Sequence, residues 1–261
     1  MTRYLDLNSD VGEAFGPYRL GETETLMAQI TSASVACGFH AGDPRTMQAT
    51  VALARQHGVG VGAHVGYHDL VGFGRRAISA SPEEIATDVL YQIGAIFAFT
   101  KAAGIPLRHV KAHGALYNQA ERDQTVAEAL VEGIRRFGSP LTVVATAASA
   151  MAAAAAAAGL PVAREAFADR AYSANGTLAP RSLPGSVLTD LDQVAERAVR
   201  LATEGRVETI DGQQMEVPCD TLCIHGDTPG ATAMAERVRA ALGGAGVELR
   251  PLSSRVGAQV P

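Results

Sequence analysis

Clusters of chemically reactive side chains follow several short apolar runs of this chain. The six clusters lie at residues 6–13, 36–43, 62–64, 111–118, 165–170 and 225–227. A repeated order of strand, polar cluster and helix is typical of a β/α barrel or a doubly wound sheet, in which all the strands end at one face. Because the clusters are far apart in sequence, only a fold of this kind would bring them together.

The first cluster has several acids at the end of a predicted strand. Asp6, Asn8 and Asp10 alternate, so their side chains share one face of the strand. With Glu13 the segment has three carboxylates, and carboxylates this close together can bind a hard cation or share a proton. The alternative is an Asp-rich turn that caps the next helix, but the number of acids favours a site.

Four of the seven histidines each follow a different predicted strand, and they are His40, His64, His113 and His225. Histidine serves as a general base or as a metal ligand, and the acids of the other clusters permit a divalent metal site. No two of these histidines lie at a fixed spacing on one helix, as they do in an HExxH motif. The spacing therefore disfavours metal binding, and the identity of any metal ligand stays open.

Basic side chains could bind an anionic substrate. Lys111 and His113 alternate on one predicted strand, and a lysine at a barrel rim suits an anionic or phosphorylated ligand; the alternative is a salt bridge within the barrel. Arg75 and Arg76 follow a glycine-rich loop and could clamp a carboxylate or phosphate, unless the loop is simply solvated. The segment 226–229 could hold an anion at a helix N-terminus or only cap that helix. The sequence has no GxxxxGK[ST] phosphate-binding loop.

Composition argues against several classes of protein. The 261 residues carry a net charge of −5 and are 47% hydrophobic, which disfavours nucleic-acid binding, and no apolar stretch predicts a membrane span. The first residues do not resemble a signal peptide, and three cysteines without one predict reduced thiols in the cytoplasm. Cys37, Cys219 and Cys223 are expected to be small buried residues, with a nucleophilic Cys37 as the weaker alternative.

The order of predicted strands and helices indicates an α/β fold. Strands are expected at 3–8, 32–36, 59–63, 109–111, 141–145, 162–165, 221–224 and 247–249. Helices are expected at 22–30, 43–57, 81–103, 123–137, 147–158, 189–204 and 229–242. A hairpin over 207–217 interrupts the alternation, and the loops 64–81 and 166–186 are long enough to indicate function. Without a linker or a composition break, a single β/α-barrel domain over residues 1–261 is predicted.

Local signals mark the starts of several helices. Asp43 and Ser81 each precede a proline, and the pair reads as an N-cap followed by the first helical position. Thr189 is the expected cap of a later helix. The run of alanines at 152–158 resembles low complexity but predicts a helix, because alanine has the highest helix propensity.

Taken together, the clusters resemble the LamB/YcsF family, whose members form the A subunit of bacterial ATP-hydrolysing 5-oxoprolinase. The resemblance covers nearly the whole chain and rests on residues 6–13, 36–43, 72–76, 111–118, 165–170 and 225–227. Two positions depart from the family pattern: Val65-Gly66 replaces Pro-Ser after His64, and Ala112 replaces a proline before His113. Both changes are conservative for a loop rim. The resemblance implies a distorted (β/α) barrel of seven or eight strands, like that of the glycoside hydrolase/deacetylase superfamily.

The resemblance also implies a reaction in which 5-oxo-L-proline, ATP and water give L-glutamate, ADP and phosphate. A five-membered lactam is an unactivated amide, and phosphorylation of its oxygen would create a good leaving group. The protein would then hold a carboxylate, a phosphate and an attacking water. ATP is the implied co-substrate. Partner subunits B and C are expected to complete the enzyme and to supply much of the ATP chemistry, since this chain has no phosphate-binding loop.

The expected roles of individual residues follow from the clusters and from the resemblance. Arg76, Arg170 and Lys111 could hold the anions, and an Asp or His could take the proton of the attacking water. The catalytic candidates are Asp10, His64, Lys111, His113 and Asp227. The candidates for substrate binding are Asn8, Glu13, His40, Arg75, Arg76, Asp169, Arg170 and His225. Candidates that end or follow separate strands are expected to converge at the C-terminal rim of one barrel.

Two other functions are compatible with the sequence. The first is a stand-alone, metal-dependent hydrolase of the deacetylase type, which requires a bound divalent metal and works without ATP. The second is a non-catalytic subunit that binds the substrate or a partner, and in which the rim acids are dispensable for turnover. A metal assay and ATP-dependent glutamate release, measured with and without partners, would separate the three.

Overall fold

The computed structural model describes residues 3–252, in which ten strands and eight helices are arranged along the chain. The strands are β1 (Arg3–Val11), β2 (Ser32–Ala36), β3 (Gly60–Val65), β4 (Leu107–Ala112), β5 (Thr142–Ala145), β6 (Val162–Phe167), β7 (Arg206–Glu208), β8 (Gln214–Glu216), β9 (Thr221–Cys223) and β10 (Val247–Leu249). The helices are α1 (Thr23–Leu26), α2 (Pro44–His57), α3 (Pro82–Ala102), α4 (Gly114–Ala120), α5 (Gln124–Arg136), α6 (Ala150–Ala157), α7 (Leu191–Glu204) and α8 (Ala231–Gly244). None of these helices is long and apolar enough to span a bilayer.

The strands close into a parallel barrel. Seven strands follow one another in the order β1, β2, β3, β4, β5, β6 and β9, and β9 pairs with β1 to complete the circle. β10 pairs with the first three residues of β1 and adds an eighth parallel strand there. The predicted barrel of seven or eight strands is therefore confirmed. Because its strands are parallel, their C-terminal ends open on one face.

The inside of the barrel is polar, whereas its outer side is part of the hydrophobic core. On β1, Leu5 and Leu7 belong to that core, while Asp6 and Asn8 contact polar side chains of other strands. This alternation is expected, since successive side chains of a strand point to opposite faces. The face predicted to carry the acids of the first cluster, up to Asp10, thus lies inside the barrel.

Capping side chains set the starts of two long helices. The carboxylate of Asp43 accepts hydrogen bonds from the amides of Arg45 and Thr46 at the start of α2. At the start of α3, Ser81 and Glu84 form a capping box, in which each side chain accepts a hydrogen bond from the backbone of the other. Both predicted starts are confirmed.

Some predicted boundaries need correction. The cap of α7 is Asp190 rather than Thr189, because the carboxylate of Asp190 reaches the amide of Gln193. The helix expected over 22–30 is limited to the four residues of α1. The pattern does not predict α4, since this short helix begins at a glycine directly after a strand. The hairpin expected over 207–217 is confirmed as the antiparallel pair β7 and β8.

The described chain begins and ends in the same sheet, where β10 pairs with β1. The first and the last described strand therefore lie next to each other in one sheet. The single domain over residues 1–261 stays a prediction, and its range extends past the described residues at both ends.

Candidate active site

Lys111 lies inside the barrel, where it joins three strands through its charge. Its Nζ atom is 2.9 Å from Oδ1 of Asp10 and 2.8 Å from Oε1 of Glu165, and it donates to Oδ1 of Asn8 at 3.3 Å. Burial alone would lower the pKa of Lys111, but the charges of Asp10 and Glu165 raise it well above its ordinary value. The side chain is therefore a buried ammonium ion that connects β1, β4 and β6.

Asp10 is the carboxylate at the end of β1 that borders the open side of the barrel. Burial works to raise its pKa, yet the nearby side chains of His64, Lys111 and His225 outweigh burial and hold the pKa well below its ordinary value. Asp10 therefore stays ionised at neutral pH, although only 8% of the residue is exposed.

Beside Lys111, three histidines and a glutamate form a buried group, called the His–Glu cluster below: Glu13, His40, His64 and His113. Oε1 of Glu13 lies 3.4 Å from Nε2 of His40 and 3.5 Å from Nδ1 of His113. Nδ1 of His113 is 2.9 Å from Nε2 of His64. One donor atom from each side chain lies within 4.8 Å of the others, so the cluster is compact enough to share one metal ion.

Burial controls the protonation of the His–Glu cluster. It lowers the pKa of His40 to about 3 and that of His113 to about 4, and it holds the pKa of His64 well below its ordinary value. Burial also raises the pKa of Glu13 to about 7. The three imidazoles are therefore neutral at pH 7 and have lone pairs to offer to a proton or a metal ion.

Two glycines lie so close to the His–Glu cluster that a side chain at either position would clash with it. Gly74 has a φ of +63°, and a Cβ atom there would lie 2.7 Å from Cβ of His40 and 2.8 Å from Cδ2 of His113. A Cβ atom at Gly66 would lie 2.8 Å from Nδ1 of His40. Both glycines belong to the long loop 64–81, so this loop packs onto the cluster.

A cavity of about 420 Å³ opens at the C-terminal face of the barrel, and it is called the barrel-end cavity below. Its wall includes strand-end residues, among them Asp10, His64, Lys111, His113 and His225. Four arginines also border it: Arg75, Arg122, Arg170 and Arg181. The volume suits a small molecule, and the guanidinium groups suit carboxylate and phosphate groups.

Two ion pairs organise the rim of the cavity. Arg75 pairs with Asp227 and thereby joins the loop 64–81 to the segment that follows β9. Nδ1 of His225 lies 2.8 Å from Oδ2 of Asp169. Burial works to raise the pKa of Asp169, but His225 outweighs it and the pKa is lowered. Because the ionised carboxylate only accepts, Nδ1 of His225 carries the hydrogen, and Nε2 is the nitrogen left for a ligand.

The structure brings most of the expected site residues to the barrel-end cavity. The expected residues in its wall are Asp10, His64, Arg75, Lys111, His113, Arg170 and His225. Asp227 joins them through its ion pair with Arg75. Four expected substrate contacts lie beneath the wall and are at most 6% exposed: Asn8, Glu13, His40 and Asp169. None of the four lines the cavity wall. Asn8 and Asp169 contact Lys111 and His225, which do line it, and the expected contacts of the four with a substrate stay a prediction.

Arg76 lies apart from the cavity wall, contrary to expectation. Its guanidinium group pairs with the buried carboxylate of Asp69, in the same loop, with Nε 3.0 Å from Oδ1. Its side chain is 61% exposed on the outside of that loop. Arg76 does not line the barrel-end cavity, and its expected contact with a substrate anion stays a prediction.

Glu165 and Tyr117 are site residues that the sequence pattern does not single out. Glu165 binds Lys111 through Oε1, and its Oε2 accepts a hydrogen bond from the hydroxyl of Tyr117 at 3.0 Å. Both stand in recognised clusters, but Glu165 lies inside β6 and not after it. The signal that identifies it is an acid within an apolar strand, because a buried carboxylate needs a partner. Arg122 comes from a segment without a motif, and Arg181 comes from the long loop 166–186.

Two of the three cysteines, Cys37 and Cys223, are confirmed as buried residues. Burial raises the pKa of Cys37 to about 12, so its thiol is a poor nucleophile. Cys223 is also buried, and its Sγ accepts a hydrogen bond from Lys111 at 3.1 Å. Cys219 differs from expectation in being only half-buried.

Comparisons with known proteins agree on one family. A sequence model of the LamB/YcsF family matches residues 5–257. A protein from Symbiobacterium thermophilum that is named as the A subunit of 5-oxoprolinase is 51% identical over 247 residues, which cover 95% of each chain. The crystal structure of a lactam utilization protein from Thermus thermophilus has a TM-score of 0.91 and 49% identity, and the match covers 95% of this chain and all of that one.

A more distant structure bears on the fold alone. The T48 deacetylase, solved with substrate, has a TM-score of 0.52 at 15% identity, over 99% of this chain and 93% of its own. The expected likeness to deacetylase-type barrels is thereby confirmed. The family is shown by the family model, which matches residues 5–257, and by the relative that is 51% identical over 95% of this chain. This chain is a member of the LamB/YcsF family.

Proposed function

We propose that this chain is the A subunit of an ATP-dependent 5-oxoprolinase, which opens the ring of 5-oxo-L-proline to give L-glutamate. The observation that carries the proposal is the 51% identity, over 95% of both chains, to a protein named as the A subunit of 5-oxoprolinase. The barrel-end cavity supports it, because a wall with four arginines lies next to a buried carboxylate and a buried ammonium group.

The chemistry of the reaction sets what the site has to do. Transfer of the γ-phosphoryl group of ATP to the lactam oxygen activates the ring carbon. Water then adds to that carbon, and the ring C–N bond breaks as the nitrogen takes up a proton. The resulting acyl phosphate reacts with a second water to give the carboxylate and phosphate. The net products are L-glutamate, ADP and phosphate.

Three residues of the cavity are assigned to the ring-opening steps. Asp10 is the general base that takes a proton from water, since it is ionised and borders the cavity. Lys111, 2.9 Å from Asp10, holds that carboxylate in place and stabilises negative charge that develops near it. His225, oriented by Asp169, takes up a proton from the cavity at Nε2 and gives it to the ring nitrogen as the C–N bond breaks.

The arginines of the wall are assigned to the two anionic groups of the substrates. Arg75 and Arg170 border the cavity from two different rim segments, the loop 64–81 and the segment after β6. Guanidinium groups match carboxylate and phosphate in geometry as well as charge. We assign them to the carboxylate of 5-oxo-L-proline and to the phosphoryl group on its oxygen.

Partner subunits complete the proposed enzyme. The letter A in the name of the Symbiobacterium relative implies further subunits in that protein. We assign ATP as the co-substrate and subunits B and C as partners that supply most of the nucleotide site, because this sequence has no GxxxxGK[ST] loop.

Turnover with and without partners tests the proposal. The purified chain is incubated with 5-oxo-L-proline and ATP, alone and together with subunits B and C, and L-glutamate and ADP are measured. Equal amounts of both products are expected only when all three subunits are present. Robust glutamate formation by the single chain would refute the need for partners. Deacetylation without ATP, dependent on a divalent metal, would instead support the stand-alone hydrolase.

A further inference from the structure

Two backbone carbonyls fix the tautomers of His64 and His113 in the His–Glu cluster. Nδ1 of His64 lies 3.2 Å from the carbonyl oxygen of Lys111, and Nε2 of His113 lies 2.8 Å from that of Phe73. A carbonyl oxygen only accepts hydrogen bonds, so both of these nitrogens carry a hydrogen. In neutral imidazoles the lone pairs then lie on Nε2 of His64 and Nδ1 of His113.

These two lone-pair nitrogens face each other at 2.9 Å. Neither neutral ring has a hydrogen to place between them, because each has already donated its own to a carbonyl. Two lone pairs at this distance repel, so the arrangement requires a positive centre that both nitrogens can bind. Either a proton, which would make one ring an imidazolium, or a metal ion meets that requirement.

Other atoms of the cluster also point to a cation. Both ring nitrogens of His40 and Oε1 of Glu13 are buried without a hydrogen-bond partner among the described residues, although the two residues are only 1% and 6% exposed. Burial of such polar atoms is costly unless something binds them. A shared proton between the other two histidines would leave these three atoms unsatisfied, whereas one metal ion can bind an atom of each residue.

The distances within the cluster match those around a single metal ion. Ligand atoms about 2.1 Å from a zinc ion, at angles of about 90–109°, are about 3.0–3.4 Å apart. The observed separations are 2.9 Å for His64 to His113, 3.4 Å for Glu13 to His40, and 3.5 Å for Glu13 to His113. The fourth, from Glu13 to His64, is 3.9 Å. Small shifts therefore suffice to place Glu13, His64 and His113 around one ion, whereas His40 needs a larger movement.

We propose that the His–Glu cluster binds one divalent transition-metal ion of the zinc type, through an imidazole nitrogen of His40, His64 and His113 and a carboxylate oxygen of Glu13. Three imidazoles and one carboxylate form a ligand set that suits Zn²⁺. His64 and His113 also line the barrel-end cavity, so a bound ion would supply Lewis-acid chemistry beside the substrate. Only this catalytic use rests on the proposed function; the binding itself does not.

One ring has to turn for the ion to be held by all four residues. The rings of His40 and His113 are parallel, with centroids 3.8 Å apart and planes 3° from each other, and lone pairs in parallel planes do not converge. His113 is held by the carbonyl of Phe73, whereas His40 has no hydrogen bond to break among the described residues. His40 is therefore the ligand that rotates when the ion binds.

Metal binding by the isolated chain tests this proposal without reference to turnover. The full-length chain is stripped with a chelator and titrated with Zn²⁺ in a calorimeter, and its Co²⁺ form is examined by visible absorption. One ion per chain is expected, with an increase in the melting temperature and the absorption bands of four-coordinate Co²⁺. His64→Gln and His113→Gln should each weaken Zn²⁺ binding by more than about 100-fold.

Two matched variants control for other histidines. His68→Gln removes an exposed imidazole that stacks on Phe39. His225→Gln removes an imidazole from a separate group of possible ligands, formed with Asp10 and Cys223. Both variants should keep the ion. Loss of the ion in His225→Gln but not in His64→Gln would overturn the assignment. Absence of Zn²⁺ binding and of Co²⁺ bands in the wild-type chain would overturn the proposal itself. Since this result comes from the wild-type protein, misfolding of a variant cannot obscure it.

Discussion

At the scale of single residues, Lys111 balances the buried charge next to the cavity. Its ammonium group contacts Asp10 and Glu165, which come from β1 and β6, the two strands that pair with β9. A buried ion pair often adds little stability relative to an apolar pair, but removal of one partner leaves the other charge uncompensated. Removal of Lys111 is therefore expected to destabilise the protein by more than its ion pairs stabilise it.

Lys111→Met is expected to lower the free energy of unfolding by about 3–5 kcal/mol, because Asp10 and Glu165 would lose their counter-charge. Urea unfolding at pH 7 measures the change. Lys101→Met is the matched control, since it makes the same substitution at an exposed lysine of α3 and should alter stability by at most about 0.5 kcal/mol. Equal and small effects at the two positions would show that Lys111 is not a structural counter-charge.

The sequence identifies residues that converge on the barrel-end cavity, but it does not specify which of them line the cavity wall. The acids and histidines at strand ends converge because every parallel strand ends on the same face. Depth depends on how far each strand runs before its loop begins, which periodicity does not specify. Glu13 and His40 are expected to contact the substrate, but both side chains lie beneath the wall of the barrel-end cavity. Glu165 lies in the strand itself, and although it stands in the cluster 165–170, no role is predicted for it from the sequence.

At the scale of elements, the start of α2 depends on one side chain. Asp43 accepts hydrogen bonds from the amides of Arg45 and Thr46, and it also binds the amide of Gly16. A side-chain hydrogen bond from Thr46 lowers the pKa of Asp43 to about 2, and the backbone amides act in the same direction against slight burial. This cap fixes the loop that leads from His40 into the helix.

Asp43→Ala is expected to cost about 1 kcal/mol of stability at pH 7 through loss of the cap. Because the pKa of Asp43 is lower in the folded protein than its ordinary value of 3.8, its stabilisation is complete above that value and is lost as the pH falls towards about 2. The difference from wild type should therefore shrink in acid. Asp43→Asn, which keeps the hydrogen bonds without the charge, should lose less. Thermal unfolding of the three proteins across this pH range provides the comparison, and a difference that stays constant with pH would contradict it.

Local signals predict the elements well where caps and composition agree. Asp43 and Ser81 mark helix starts because an N-cap and a proline act at adjacent positions. The signals fail at α4, whose first residue is Gly114, because tertiary contacts and not propensity hold a helix this short. They also fail at the cap of α7, where Asp190 competes with an adjacent threonine.

At the scale of the whole molecule, barrel closure makes the site. Asp10 and His225 lie at opposite ends of the sequence, and they meet in one cavity because β9 pairs with β1. The sequence indicates repeated strand–helix units and thus a barrel or a doubly wound sheet. It does not decide between seven and eight strands around the circle, because that depends on how β9 and β10 share the edge of β1.

Asp10→Asn in the complete enzyme shows whether this chain provides catalytic groups for opening the lactam. Glutamate formation from 5-oxo-L-proline and ATP is measured with subunits B and C, alongside thermal unfolding and assembly by size exclusion. Asp211→Asn, in the exposed turn between β7 and β8, is the control. We expect turnover per folded complex to fall by about two to four orders of magnitude in Asp10→Asn and to stay near the wild-type value in Asp211→Asn. Near-normal turnover in an assembled Asp10→Asn enzyme would contradict this expectation and make the chain a non-catalytic subunit.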